Sequence, residues 1–151
     1  MGYIEQNLMS GENVVYRAKL HWIVFMWPAI FLLIALIGFG SGSPPAGGLF
    51  ILLAVLTGLS SFIRYSTSEF GLTNKRVLIK VGLIRRHSLE TLLTKVEGIS
   101  VDQGILGRIL GYGTIVVTGT GGMREPFHKI SGPLEFRKQV QEQIGAVQEP
   151  K

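Results

Sequence analysis

"GILGRILGYGTIVVTGTGG" runs from Gly104 to Gly122, with seven glycines among nineteen residues and a single charge, Arg108. A glycine-rich run beside so many aliphatic residues has two readings: a phosphate-binding loop, or a strand that turns sharply in a small sheet domain. The phosphate reading fails on spacing. After Gly111 and Gly113, the third glycine of G-x-G-x-x-G would fall at 116, which is valine. No strand-then-helix unit surrounds the run, and no G-K-[ST] follows. The run therefore predicts a short helical turn through Ile105, Leu106, Ile109 and Leu110, then a strand entered at "GYGTIVV". Gly104, Gly107, Gly111 and Gly113 are assigned to backbone geometry, where positive φ or close approach is needed. Gly121-Gly122 suits a hairpin turn. Arg108 has two open readings, a donor to turn carbonyls or an exposed side chain.

Upstream, "LTNKRVLIKVGLIRRHSLETLL" alternates short β-rich runs with turns. Val77, Ile79 and Val81 are expected on one face of a strand, and Leu78 and Lys80 on the other. A strand through Arg86–Thr91 returns antiparallel. "KVEGISVDQ" gives another, with Val96, Ile99 and Val101 inward. Downstream, "TIVVTGT" and "MREPFHKI" pair across the glycine turn. Ser131-Gly132-Pro133 starts a helix with Phe136, Val140, Ile144 and Val147 at helical spacing. "ENVVYRAKL" alternates too, and either adds a strand or leads into the next segment. The pieces predict a small bent sheet closed by a C-terminal helix.

Before this domain lie two charge-free runs, Trp22–Gly40 and Gly48–Ile63. Each approaches the ~20 residues that span a bilayer core. "SGSPPAGG" between them reads as a turn. About twenty polar or mixed residues precede the first run, unlike a secretory leader. Arg17 and Lys19 precede the hairpin, Arg64 follows it, and the loop is uncharged. The positive-inside rule then places both ends in the cytoplasm, with Trp22, Trp27 and Tyr65 near the inner boundary. The expected organisation is a lead-in over 1–21, a hairpin over 22–64 (spans about 22–40 and 48–64) and a cytoplasmic domain over 65–151. Ala54 and Gly58 form a small-xxx-small pair suited to helix contact, including contact with a second copy.

A hydrophobic fraction of 46% together with a mean hydropathy of +0.35 is too apolar for a typical soluble domain. The net charge of +5 suits nucleic acid, an anionic membrane face or topology signalling. With no cysteine, disulfides and thiolate metal sites are excluded.

The run from "LTNKR" through "GLIRR" to "GRILGYGT", with the preceding hairpin and "GENVVYRAKLHW", resembles the bacterial pleckstrin-homology (PH) family of small membrane proteins. The resemblance covers nearly the whole chain. It implies an α+β membrane protein, with a two-helix transmembrane hairpin and a PH-like split β-barrel carrying a C-terminal helix, held at the bacterial inner membrane. It supplies no activity.

No H-E-x-x-H, G-x-S-x-G or paired-carboxylate signature appears. His21, His87 and His128 are far apart: His21 is expected at the membrane edge and His128 on an exposed strand face. The expectation is therefore no enzyme, no cofactor and no metal. The basic residues cluster by sequence, Lys75 and Arg76 at one turn and Lys80, Arg85 and Arg86 around the next. Strand pairing is expected to bring both groups to one end of the barrel. PH-like domains that bind phosphoinositides use basic residues around the corresponding early turns. Nucleic-acid binding is not expected, since no aromatics interleave with these charges. The leading expectation is a binding or scaffold protein acting through a protein partner or self-association as a homo-oligomer. The alternative is recognition of anionic lipid head groups by Lys75, Arg76, Lys80, Arg85 and Arg86.

Overall fold

The computed structural model describes residues 2–83 and 85–149. Ile84, part of the "GLIRR" turn, and residues 1, 150 and 151 at the ends of the expected domains lie outside the described residues. The chain forms two compact units. Trp22–Ser66 is one; the residues up to His21 and those from Thr67 onward together form the other. The lead-in is thus not a separate segment but part of the sheet domain.

Within the first unit, a 3-10 turn at Trp22–Phe25 runs into helix α2 (Met26–Gly40), and α3 (Pro44–Thr67) returns. The second helix begins four residues earlier than expected, because "PPAGG" is its first turn rather than a loop. Proline fits the first helical turn, where the missing N–H has no intrahelical acceptor. The connection shrinks to residues 41–43, with Gly42 at φ +78°. Ser41 N–H donates to Ile37 O at 2.9 Å and Ser43 N–H to Gly38 O at 3.0 Å, which satisfies carbonyls at the end of α2. Near the turn the backbones approach closely: a Cβ on Gly38 would lie 3.1 Å from Gly47 N. Further along, Ser61 Oγ donates to Val24 O at 2.9 Å and Phe25 meets Tyr65 at 5.5 Å between ring centres. The helical stretch Trp22–Gly40, formed by the 3-10 turn and α2 together, and α3 are each long and apolar enough to cross a membrane, with mean hydropathies of 2.5 and 2.1.

The second unit opens with helix α1 (Tyr3–Gln6). It contains a four-stranded antiparallel sheet, β1 (Val14–Ala18), β2 (Glu69–Thr73), β3 (Arg76–Val81) and β4 (His87–Leu92), in that order. A second sheet pairs β5 (Val96–Asp102), β6 (Tyr112–Gly119) and β7 (Arg124–Ser131). Helix α4 (Ile105–Leu110) joins β5 to β6, and α5 (Pro133–Gln148) ends the unit. The alternating lead-in is therefore a strand: β1 pairs with β2, placing Ala18 opposite Phe70.

Alternation succeeds best in β6, where Gly113, Ile115, Val117 and Gly119 are buried and their neighbours half-buried. In β5 a register shift between Val96 and Gly98 puts Val96 and Ile99 inward while Val101 is half-buried. β3 departs from a one-faced pattern: Val77, Leu78 and Ile79 are all fully buried. Leu78 pairs with Gly71, over which Ile4 of α1 fits so closely that a Cβ on Gly71 would meet Ile4 Cδ1 at 2.5 Å. The short N-terminal helix thus covers the Leu78 face of the sheet. On the inner face Phe70 meets Phe127 edge-on at 6.2 Å, joining the two sheets. From α5, Phe136 and Val140 are fully buried and Ile144 and Val147 half-buried. The sheets do not close into a barrel. The 3-10 turn Leu93–Lys95 separates β4 from β5. β7 reaches the lead-in through an isolated bridge, Leu20 with Ile130.

Candidate functional site

Glu12 is 6% exposed, and a carboxylate so far from water must be satisfied by polar neighbours. They do so completely. Arg76 Nε and Nη2 donate to its two oxygens at 2.9 and 3.1 Å, Thr73 Oγ1 at 2.7 Å and the Met9 N–H at 2.7 Å. Arg76 Nη1 reaches Glu90 Oε2 at 2.8 Å, and Nη2 also donates to Asn7 O. Thr73 Oγ1 in turn accepts the Arg76 and Lys75 N–H groups, closing the turn. Asn74 N–H donates to Asn13 O at 3.1 Å, while its Oδ1 accepts the Asn13 N–H at 3.0 Å. The "GEN" of the lead-in and the "TNKR" turn are therefore two halves of one clasp, 64 residues apart at Glu12 and Arg76. Burial alone would push the Glu12 carboxyl up. The hydrogen bonds from Arg76, Met9 and Thr73 outweigh it and hold the group at about 2.

This clasp removes Arg76 from any surface patch. Lys75 is exposed and its Nζ donates to Ser10 O at 3.1 Å. Lys80 lies 5.0 Å from the centre of the Tyr3 ring, whose hydroxyl donates to Glu90. That bond, followed by burial, raises the Tyr3 hydroxyl above its ordinary range. Arg85 and Arg86 are exposed. The two turns are not brought together as expected. They flank β3 at opposite ends, since Arg76 starts the strand and Val81 finishes it against His87. Five steps of strand separate them by about 17 Å. Adjacent turns of an antiparallel sheet necessarily point opposite ways.

The glycine run is settled by contacts. A Cβ on Gly107 would sit 2.5 Å from Tyr112 O, and one on Gly113 would sit 2.6 Å from Gln103 Cγ and 2.9 Å from Asp102 O. Gly111 ends α4 in the left-handed region at φ +82°. Gly104 has open space and an ordinary extended φ of −70°. Arg108 is exposed. Gln103, whose role no local pattern reveals, donates to the turn: its Nε2 reaches Tyr112 O at 3.0 Å and Gly107 O at 3.4 Å. In the hairpin, Ala54 is buried and a Cβ on Gly58 would lie 3.7 Å from Pro28 Cβ. These small residues thus serve contact within one copy.

His21 is buried, its Nε2 3.0 Å from Leu110 O and its ring 5.3 Å from that of Tyr112. Its N–H donates to Lys129 O at 2.7 Å, where Lys129 stands at φ +59° beside a register shift in β7. His128 is exposed, with Nδ1 3.0 Å from Thr114 Oγ1. His87 Nε2 lies 3.0 Å from Glu125 Oε2. Among the described residues no three His, Cys, Asp or Glu side chains gather as metal ligands.

Where the two sheets part, β4 faces β6 across a cavity of about 230 Å³. Leu89, Leu92, Val117 and Met123 give it apolar walls; Glu90 and Lys95 give it charge. Leu92 and Met123 are 44% and 56% exposed, and β4 is the outer strand of its sheet. A profile of the family described as Bacterial PH domain matches residues 24–144, from the hairpin into α5. The chain belongs to the bacterial PH domain family. No curated protein and no solved structure matches it. The family match begins after β1, so the clasp partner Glu12 lies outside it.

Proposed function

We propose that this member of the family is a multi-pass bacterial inner-membrane protein, with both termini cytoplasmic, whose PH-like domain binds a protein partner or a second copy and carries out no catalysis. Anchorage is supported by the hairpin surface: Leu33, Leu36, Ile37, Leu56, Leu59 and Phe62 are 56–70% exposed, an arrangement suited to lipid. Sidedness is supported by the pairing of β1 with β2. Strands from before and after the hairpin share one sheet, so both must lie on the same side of the membrane, which an even number of crossings allows. The charges of Arg17, Lys19 and Arg64 favour the cytoplasmic side.

The observation that carries the binding reading is the seam at β4. An outer strand with unpaired backbone groups beside an apolar-walled cavity accepts an added strand or a partner's side chains. The lipid reading, with its five basic residues, has less support, because Arg76 is engaged in the clasp and Lys75 stands at the opposite end of β3 from Arg85 and Arg86. Topology is tested by reporters in the 41–43 turn and after the C-terminus; the first should read external and the second cytoplasmic. Binding is tested by crosslinking in native membranes with Leu92→Arg and Met123→Arg. Loss of crosslinked species in these variants supports the seam. Unchanged crosslinking, or binding of anionic vesicles abolished by Arg85→Ala/Arg86→Ala, overturns it.

A further inference from the structure

Helix α4 presents an apolar face that none of the described residues of its own unit covers. Ile105, Leu106, Ile109 and Leu110 are 81%, 60%, 73% and 38% exposed. At 100° per residue these four occupy one side of the helix, while Gly107 turns toward the sheet and is buried. Arg108 stands exposed on the flank of the apolar side. The helix is held rigidly in this pose. Gln103 ties both its interior and its exit, Gly111 N–H closes onto Gly107 O at 2.8 Å, and Gly132 N–H donates to Gly111 O at 3.1 Å.

The location of this face selects its occupant. Leu110 O lies 3.0 Å from the imidazole of His21, and the next residue, Trp22, opens the first apolar span. His21 is itself fixed by its N–H on Lys129 O, and Ser131 N–H donates to Lys19 O at 2.9 Å. The point where the chain leaves the sheet domain for the hairpin is thus bound to the C-terminal end of α4. A short rigid helix with aliphatic residues on one side and an arginine on its flank, held there, has the chemistry of an interfacial membrane element. At a membrane surface, side chains of this kind reach the acyl boundary and a guanidinium lies among phosphates.

We propose that α4 dips into the cytoplasmic leaflet of the same bilayer that the hairpin crosses, with Ile105, Leu106, Ile109 and Leu110 among the upper acyl chains and Arg108 at the phosphate level. This rests on the membrane reading above. It differs from the basic-patch alternative, since the contact is apolar and involves none of those five residues.

The absence of cysteine makes the test direct. Single variants Ile105→Cys, Ile109→Cys, Leu56→Cys and Glu142→Cys of the full chain are labelled with an environment-sensitive fluorophore and reconstituted into phosphatidylethanolamine–phosphatidylglycerol vesicles. Lipids carrying a nitroxide near the top of the acyl chain then serve as quenchers. Labels at 105 and 109 should be blue-shifted and quenched at least about twofold more than at the exposed residue 142. Quenching at 56 but not at 105 and 109 overturns the inference while leaving the membrane reading intact. No quenching at 56 overturns the membrane reading first. A blue shift at 105 and 109 without lipid quenching shows a protein surface there and also overturns the inference.

Discussion

At one end of β3, Arg76 is 6% exposed with Glu12 and Glu90 on its guanidinium. At the other end, Arg85 and Arg86 stand exposed beyond Val81. Read along the chain, the two turns are alike: hairpins carrying paired basic residues. In space, one is a buried fastening between the lead-in and the sheet, and the other is free surface. The difference lies in Glu12, which reaches the first turn from 64 residues away. Charge on a turn says little until its counter-charge is located.

Removing one member of the clasp should have the largest effect. Arg76→Ala leaves the Glu12 carboxylate buried without its main donors, and Glu12→Ala does the reverse. Each should cost about 3–5 kcal/mol in chemical denaturation of the detergent-solubilised protein. A wild-type midpoint in either variant would erase the distinction between the two turns.

Acid should distinguish the turns almost as strongly. Glu12 is held at about 2 against an ordinary 4.5. A lowered folded value means that its contribution is complete above about pH 4.5 and is lost as the pH falls toward 2. The shift corresponds to about 3 kcal/mol. Melting followed from pH 6 to pH 2 should show this loss, and Glu12→Gln should flatten it, whereas Arg85→Ala/Arg86→Ala should leave the acid profile unchanged.

The same rule, that surroundings outrank residue type, separates glycines within one run. Gly113→Val should destabilise by about 1–3 kcal/mol, because its Cβ meets Gln103 and the Asp102 carbonyl. Gly104→Ser, at an open helix N-cap, should change stability by no more than about 0.5 kcal/mol. Equal melting shifts would contradict the contacts. Smallest of all should be Arg85→Ala/Arg86→Ala at neutral pH, within about 0.5 kcal/mol of the parent.

Much of this architecture is legible in the sequence because it depends on local pattern. The uncharged runs mark the hairpin, alternation marks β6, and Ser131-Gly132-Pro133 marks the start of α5. What is not legible depends on pairing at a distance. Glu12 looks like any lead-in acid, because nothing near it in the chain reveals Arg76. The expected basic patch treats turns ten residues apart as neighbours, whereas the intervening strand holds them apart. The burial of Leu78 depends on Ile4, which belongs to a four-residue helix too short to announce itself. The start of α3 at Pro44 is hidden because Pro and Gly signal both loops and first helical turns.

The β1–β2 pairing also has a consequence for the order of synthesis. β1 is made before the whole hairpin, and its partner strand only after it. During translation the clasp residue Glu12 must therefore wait, solvated and unpaired, until Thr73 and Arg76 emerge. Bringing such distant segments together carries a closure cost that grows with the intervening length. The hairpin lowers that cost. Once α2 and α3 have packed, Phe25 lies against Tyr65 and Ser61 holds Val24, so both ends of the 45-residue helical unit are already side by side. Packed helices with adjoining ends lower the closure cost of bringing the first and second strands together, and β1 is expected to gain protection from hydrogen exchange only after the hairpin has assembled.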